Sequence, residues 1–300
     1  MTTTAPPVAP PGMAWIPGGA FRMGSEDFYP EERPVREAVV EGFWMDEHLV
    51  TVAEFRRFVK ATGYVTVAER PLDPALYPEA DPAELTPGSL VFRPTRGPVP
   101  LDDYRAWWAF VPGACWHRPE GRGSDTYTRA RHPVVHVVHE DALAYARWAG
   151  RALPTEAEWE RAARGGLDGA TFAWGDEELP GGRHMANTWQ GEFPWRDLGS
   201  DGHVGTSPVG TFPANGYGLA DVCGNVWEWT ADDYPVEHEH EHGACCAPAP
   251  EDRFPRMVIK GGSHLCAPSY CLRYRPAARQ AQAIESSTSH LGFRCVLRAA

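Results

Sequence analysis

Gly224-Asn225-Val226-Trp227-Glu228-Trp229 sets the pattern for the second half of the chain: a glycine-asparagine turn, then a short apolar run carrying two tryptophans. Related units precede it at Phe172-Ala173-Trp174-Gly175, Ala186-Asn187-Thr188-Trp189-Gln190-Gly191 and Gly216-Tyr217-Gly218-Leu219. Glycine, tryptophan and short apolar runs alternate through this region. The 30 glycines and 29 prolines among 300 residues predict a chain that is loop-rich and held by tertiary contacts. Loops rich in Asn, Asp and Gly can also build calcium sites from oxygen ligands. Asn187, Asp201, Asp221 and Glu228 are the candidate side chains, and the same residues serve equally well as turn formers and caps.

Three helices are signalled outside that region. Thr51 and Glu54 fit a capping box ahead of an apolar stripe at Phe55, Phe58 and Val59, with Gly63 as the stop. A second helix is expected from about Glu140 to Trp148, ended by Gly150. A third follows the Thr155 to Glu158 capping box, with Trp159, Ala162 and Ala163 facing inward and Gly165 closing it. The second and third are expected to pack together. Order should begin at Met13, after a Pro/Ala/Thr-rich tail over residues 1–12, with two short strands flanking Pro17-Gly18 and a further strand region from Val35 to Met45. Residues 71–100, rich in proline and acids, are expected to form a long connecting loop. Trp107, Trp108, Phe110 and Trp116 cluster after it, either as packing anchors or as the lining of a peptide groove.

The charge balance of 28 basic against 40 acidic residues, net −12, argues against nucleic acid as a partner, since phosphate binding needs a basic face. There is no run of 18 apolar residues and no basic and apolar leader at the N-terminus, so the expectation is a cytoplasmic protein without a membrane partner. Seven cysteines, an odd number, argue against a full disulfide framework there. Glu237-His238-Glu239-His240-Glu241-His242 reads as a solvated loop, and the adjacent Cys245 and Cys246 as free thiols or an accessory metal trap.

The chemistry points to Gly261-Gly262-Ser263-His264-Leu265-Cys266-Ala267-Pro268-Ser269-Tyr270-Cys271-Leu272-Arg273-Tyr274-Arg275. Side chains five positions apart lie about 140° apart on a helix and on opposite faces of a strand, so neither element brings Cys266 and Cys271 together. Pro268 and the glycine pair instead predict a bent segment in which the sulfurs converge. Converging sulfurs serve as a structural disulfide, a redox disulfide or a soft-metal site. Two thiolates suit Cu(I), whereas a structural zinc normally takes four ligands. Arg273, Arg275 and Arg279 follow closely and would favour thiolates if they lie on the same side.

Several segments together resemble the formylglycine-generating enzyme (sulfatase-modifying factor) family, of the actinobacterial type. They are Trp15-Ile16-Pro17-Gly18-Gly19 with Phe21-Arg22-Met23-Gly24, His132-Pro133-Val134-Val135-His136-Val137, Leu153-Pro154-Thr155-Glu156-Ala157-Glu158-Trp159-Glu160, the Gly224 to Trp229 stretch, and Leu291-Gly292-Phe293-Arg294-Cys295. The likeness runs from about Met13 to Val296. It implies an α+β, single-domain, C-type-lectin-like fold over residues 13–300, with little regular secondary structure. Lys260-Gly261-Gly262-Ser263, Cys266, Ser269-Tyr270-Cys271 and Arg273-Tyr274-Arg275 match the family's catalytic segment. The resemblance implies an aerobic oxidase that converts the cysteine of a Cys-x-Pro-x-Arg segment, in an unfolded or nascent sulfatase, to Cα-formylglycine, using O2 and a thiol reductant. Cys266 and Cys271 would hold Cu(I), Ser263 and Trp227 would shape the oxygen pocket, Tyr270 would have a supporting role, and Arg279 would help hold the substrate. Structural Ca2+ would fall on Asn187, Thr188, Asp201 and His203, and on Asp221, Gly224, Val226 and Glu228.

The sequence departs from the family pattern in places. Ala146, Ala163 and Pro276 stand where eukaryotic members have disulfide cysteines, which leaves Cys295 without a partner. Ala267 replaces a histidine after the first catalytic cysteine, and Gln282-Ala283-Ile284-Glu285 replaces Asn-Thr-Pro-Asp. The acid that meets the substrate arginine is replaced near Gly88-Ser89, with Asp102, Asp103 or an acid of residues 71–86 as substitutes. The competing readings are a non-catalytic binding module on the same scaffold, in which Cys266 and Cys271 cross-link a loop, and a non-haem iron sulfoxide synthase.

Overall fold

The computed structural model describes residues 9–76, 78, 81, 85–235 and 255–298. The run at 237–242 and Cys245-Cys246 lie outside the described residues. So do residues 1–8, whereas the last part of the expected tail is placed: Gly12 accepts a hydrogen bond from the Glu47 N–H (3.0 Å).

Two of the three helices start where their capping boxes predict, and the other starts one residue before the expected Glu140. Helix α1 (Val52–Thr62) opens on the Thr51/Glu54 capping box and ends on Gly63 in the left-handed conformation. Helix α2 (His139–Trp148) is capped by Asp141, whose carboxylate accepts from Val138 N–H (3.0 Å). Helix α3 (Glu156–Ala163) opens on the Thr155/Glu158 box. Their packing differs from expectation. Helix α2 lies against α1, with Tyr145 stacked on Phe55 at 5.9 Å and Trp148 against Phe58 at 5.5 Å. Helix α3 packs on strands instead, because its buried acids have their cationic partners there: Lys260 sits 3.0 Å from Glu160, and Arg298 2.7 Å from Glu158.

Among the described residues the strands are short and scattered over five small sheets. The strands either side of Pro17-Gly18, β1 (Met13–Ile16) and β2 (Gly19–Met23), form as expected but take different partners. The expected strand over 35–45 breaks at Glu41-Gly42 into β3 (Arg36–Val40), which pairs with β2, and β4 (Phe43–Asp46), which pairs with β1. Residues 71–100 are not all loop, since β5 (Gly88–Phe92) pairs antiparallel with β6 (Trp108–Pro112). The flanking prolines hid this strand, because its ladder partner lies beyond a second proline-rich stretch. A minimal hairpin, β7 (Gly191–Glu192) with β8 (Arg196–Asp197), follows. The largest sheet has the order β11-β10-β9-β12, from β9 (Trp227–Asp233), β10 (Arg256–Lys260), β11 (Arg279–Ala283) and the parallel β12 (Leu291–Gly292). Strand β13 (Val296–Arg298) returns to the free edge of β4 and joins the two ends of the chain in one sheet. Among the described residues, no helix is long and apolar enough to cross a membrane.

The core fills the space between α1, α2, α3 and these sheets, around Phe55, Trp159, Trp227, Trp229 and Phe293, all almost fully buried. A second apolar cluster gathers Trp107, Trp108, Trp189 and Phe193 around Leu265 and Ala267. A fully buried histidine ties β5 to the loop after β6: His136 Nε2 lies 2.9 Å from the Pro119 carbonyl and Nδ1 2.7 Å from the Ser89 hydroxyl. Burial disfavours the imidazolium and lowers His136 from 6.5 to about 4. Between those values the unfolded chain takes up a proton that the folded protein refuses. The stability from this neutral ring is therefore present above about pH 6.5 and is lost as pH falls toward 4. Asparagine tolerates the positive φ of 59° at this position. The advantage of the native protein over His136→Asn, measured by urea unfolding, should be about 2 kcal/mol smaller at pH 5 than at pH 7.

Candidate active site

The thiol pair is built by a reversal at the end of β10. Gly261 (φ 94°) and Gly262 (φ 69°) turn the chain off the sheet. A Cβ on Gly262 would lie 2.9 Å from the Arg273 carbonyl and from the Tyr274 nitrogen, so the outgoing and returning legs of the segment touch here. Between the legs, Cys266 N–H donates to Ser263 O (2.9 Å) and Cys271 N–H donates to Ala267 O (2.7 Å). These two turns bring the Cys266 and Cys271 sulfurs to 3.2 Å, both fully buried. That distance exceeds a disulfide bond by more than 1 Å, so both are thiols, as are Cys115, Cys223 and Cys295. The bent segment expected from the sequence is present, and the loop cross-link is not.

Ser263 is tied directly to the first sulfur, its N–H donating to Cys266 Sγ (3.4 Å), while its hydroxyl accepts from Leu265 N–H (3.2 Å). The outgoing leg is laced to the Gly224-Asn225 turn: Gly224 N–H donates to Gly261 O and His264 N–H to Asn225 O, both at 2.9 Å. Trp227 lies two residues beyond, at the start of β9, fully buried, and its indole N–H has no hydrogen-bond partner among the described residues. An orphaned buried donor calls for a partner, and this one stands on the strand that braces the thiol segment. Tyr270 stacks on Phe193 with ring centres 4.4 Å apart and planes 5° apart.

The three arginines diverge. Arg273 reaches the pair, with Nη1 3.9 Å from Cys271 Sγ, and its other end is fixed by Glu31 at 2.7 Å and by the Tyr29 ring at 3.8 Å. Arg275 is spent on a bidentate pair with Glu32 (2.8 and 2.5 Å) over the Phe28 ring. Arg279 lies on β11, with Nε 2.9 Å from Glu156 and its guanidinium over the Tyr234 ring. Sequence reasoning missed the segment Phe28 to Glu32 altogether. Its only signal was two aromatics followed by a proline and two acids, with nothing to link them to arginines some 240 positions away. Tyr29 also accepts from Leu272 N–H (3.0 Å), and burial raises its phenol above the usual value despite the two arginines.

Beside the segment, His264 and Leu265 form one wall of a groove of about 510 Å³, shared with Phe92, Trp189, Trp195 and Pro119. Trp107 and Trp108, 1 % and 6 % exposed, lie behind that wall as packing. Its acids are Glu120, paired with Arg93 at 2.6 Å, and Asp197, whose carboxyl is raised by burial against the N–H groups of Gly199 and Gln190. Ser89 is buried on His136 and Ser287, and Asp103 is held by Arg105 at 2.8 Å; neither lines the groove.

The oxygen ligands expected for calcium fall into two groups that touch. Gln190 bridges Asp201 (3.0 Å) and the Thr188 carbonyl, and Asp201 also accepts from His203 N–H (2.9 Å). Asn187 and Gly224 meet so closely that a Cβ on Gly224 would lie 2.3 Å from the Asn187 carbonyl oxygen. In the second group Asp221 accepts from Gly210 N–H (2.7 Å). Glu228, however, gives both oxygens to Arg294 (2.8 and 2.9 Å), and one of them also accepts from Trp159 Nε1 (2.9 Å).

The sulfatase-modifying factor enzyme 1-like domain matches residues 2–299. The chain is 61 % identical to the formylglycine-generating enzyme of Mycobacterium tuberculosis, over 94 % of this chain and 96 % of the relative. It is 50 % identical to the formylglycine-generating enzyme of Thermomonospora curvata, over 95 % and 92 %. Among solved structures, PvdO from Pseudomonas aeruginosa superposes with a TM-score of 0.62 at 24 % identity, covering 96 % of this chain and 94 % of that one, a likeness of fold. The chain belongs to the sulfatase-modifying factor enzyme 1-like family.

Proposed function

We propose that this protein oxidises the cysteine of a Cys-x-Pro-x-Arg segment, in an unfolded or nascent sulfatase, to Cα-formylglycine. The observation that carries the reading is the pair of buried thiols with sulfurs 3.2 Å apart at Cys266 and Cys271. The names of the relatives at 61 % and 50 % identity support it. Two soft donors held together and shielded from water suit Cu(I), and Cys266 and Cys271 would hold it. When bound, copper supplies the one-electron chemistry by which O2 can react with a thiolate. The balance is one cysteine, one O2 and two electrons with two protons from a thiol reductant, giving one aldehyde, one hydrogen sulfide and one water.

The chain's own residues do the rest. The Arg273 guanidinium puts a positive charge 3.9 Å from Cys271 Sγ, with Glu31 keeping it in place. The Ser263 N–H stabilises charge on Cys266. Trp227, fully buried with its indole N–H unpartnered among the described residues, would shape the space beside the thiols that O2 enters. The groove beside His264 and Leu265 takes the extended substrate, and Glu120 and Asp197 are the acids there to meet its arginine. Arg279 acts through Glu156 as a positioning residue for β10 and β11 rather than by touching substrate. The Asn187, Thr188, Asp201 and His203 group suits Ca2+ through its oxygens. In the second group Asp221 and the carbonyls of Gly224 and Val226 remain for a cation, with Glu228 held by Arg294 as support. Among the described residues the five buried cysteines form no disulfide, which suits a reducing compartment, the cytoplasm.

A synthetic Leu-Cys-Thr-Pro-Ser-Arg peptide incubated with the protein, Cu(I), O2 and a thiol reductant should lose about 18 Da by mass spectrometry. The loss should vanish with Cys271→Ser; conversion by that variant would refute the role of the pair. Gly262→Ala forces a Cβ against the Arg273 carbonyl at positive φ. It should cost about 1–3 kcal/mol in thermal or urea unfolding and reduce Cu(I) affinity along with turnover.

A further inference from the structure

Away from the thiol pair, Glu69, Cys115 and His117 bring one carboxylate oxygen, one sulfur and one ring nitrogen within 4.8 Å of one another. The carboxylate is already oriented. Glu69 ends the single turn at Val67–Glu69, and its Oε2 accepts from Thr66 N–H (3.1 Å), the Thr66 hydroxyl (2.7 Å) and Trp116 Nε1 (3.2 Å). Its other oxygen, Oε1, faces His117 Nδ1 at 3.6 Å. Cys115 Sγ lies 3.4 Å from that same nitrogen. The loop that carries both is closed by two backbone hydrogen bonds between Cys115 and Arg118 (3.1 and 3.0 Å), which fixes the backbone from which thiol and imidazole project.

Those distances have a chemical meaning. A four-coordinate borderline cation with bonds of about 2.0–2.3 Å holds its donor atoms about 3.3–3.6 Å apart. The sulfur-nitrogen and nitrogen-oxygen separations, 3.4 and 3.6 Å, match that spacing. Hydrogen bonds to the non-ligating carboxylate oxygen are the support that metal sites use to fix ligand orientation. We infer that Glu69 Oε1, Cys115 Sγ and His117 Nδ1 form a second metal site, for a divalent cation of the zinc class, with the fourth position open to water. Cys115 is buried, while the His117 and Glu69 side chains are 36 % and 25 % exposed, so the cation enters from the histidine side. Burial lowers His117, with Arg118 and Arg56 acting in the same direction against Glu69, and the neutral ring is the ligating form. Cys115 is a thiol raised by burial, so it gives up its proton as the cation binds.

The site joins the turn after α1 to the loop that continues into Pro119 and Glu120, two residues of the groove wall. Its role is to brace that wall, and no step of the oxidation passes through it.

Titration of the full-length Cys266→Ser/Cys271→Ser protein with Co2+ tests the assignment without interference from the other thiol pair. One equivalent should bind with a thiolate-to-cobalt charge-transfer band and the intense visible absorption of four-coordinate cobalt, and Zn2+ should displace it. Cys115→Ser should abolish the charge-transfer band and His117→Ala should weaken binding at least about tenfold. In the otherwise unaltered chain, Cys115→Ser should lower the number of thiolate-bound Co2+ by one, a check independent of how the double variant folds. Absence of the band, or a band unchanged by Cys115→Ser, which would trace to the 237–246 stretch, overturns the proposal.

Discussion

One buried guanidinium, Arg294, holds the parts of this molecule together. It takes both oxygens of Glu228 on β9 and donates to the carbonyls of Ala220 and Asp221, with a longer contact at 3.4 Å to the carbonyl of Asp46 at the end of β4. Glu228 in turn accepts from Trp159 on α3. Desolvating two charges is costly, and such a pair is tolerated only when further hydrogen bonds complete it, as they do here; removing one partner of a pair of this kind costs about 3–5 kcal/mol. A chain of short strands and long loops cannot rely on ladder hydrogen bonds to fix the relation between its sheets. Buried ion pairs with defined geometry supply that registry instead.

The same device recurs toward the thiol segment. Lys260 at the end of β10 is fully buried between Glu160 (3.0 Å) and Glu156 (3.5 Å). Burial alone would raise the Glu160 carboxyl, but Lys260 and Arg164 outweigh it and hold it below its ordinary value. This fixes the point from which Gly261 and Gly262 reverse the chain. The returning leg is then clamped by Arg273 on Glu31 and Arg275 on Glu32. The two sulfurs are thus placed by a reversal anchored at both ends, and they meet as thiols rather than as a disulfide.

Much of this was legible in the sequence because it is local. The capping boxes at Thr51 and Thr155 and the glycine stops specify helices through neighbouring residues, and the spacing of Cys266 and Cys271 around Pro268 excluded helix and strand on geometry alone. What escaped has its partner far away. Strand β5 is recognised only with β6, the pairing of α2 with α1 rests on aromatic contacts that periodicity does not assign, and the clamp from Phe28 to Glu32 acts across more than 240 positions. The expected effect of the three arginines on the thiols narrows to Arg273 for the same reason. Proximity in sequence put all three beside the thiols, while the acids that claim Arg275 and Arg279 come from other elements.

The central claim is that Cys266 and Cys271 form an open, two-sulfur site for Cu(I). X-ray absorption at the copper edge, on protein loaded with one equivalent of Cu(I), measures this most directly. The account predicts copper bound by two sulfur donors alone in the native chain, with that signature lost in Cys266→Ser. Copper bound through nitrogen or oxygen, or a two-sulfur signature that survives Cys266→Ser, would contradict it.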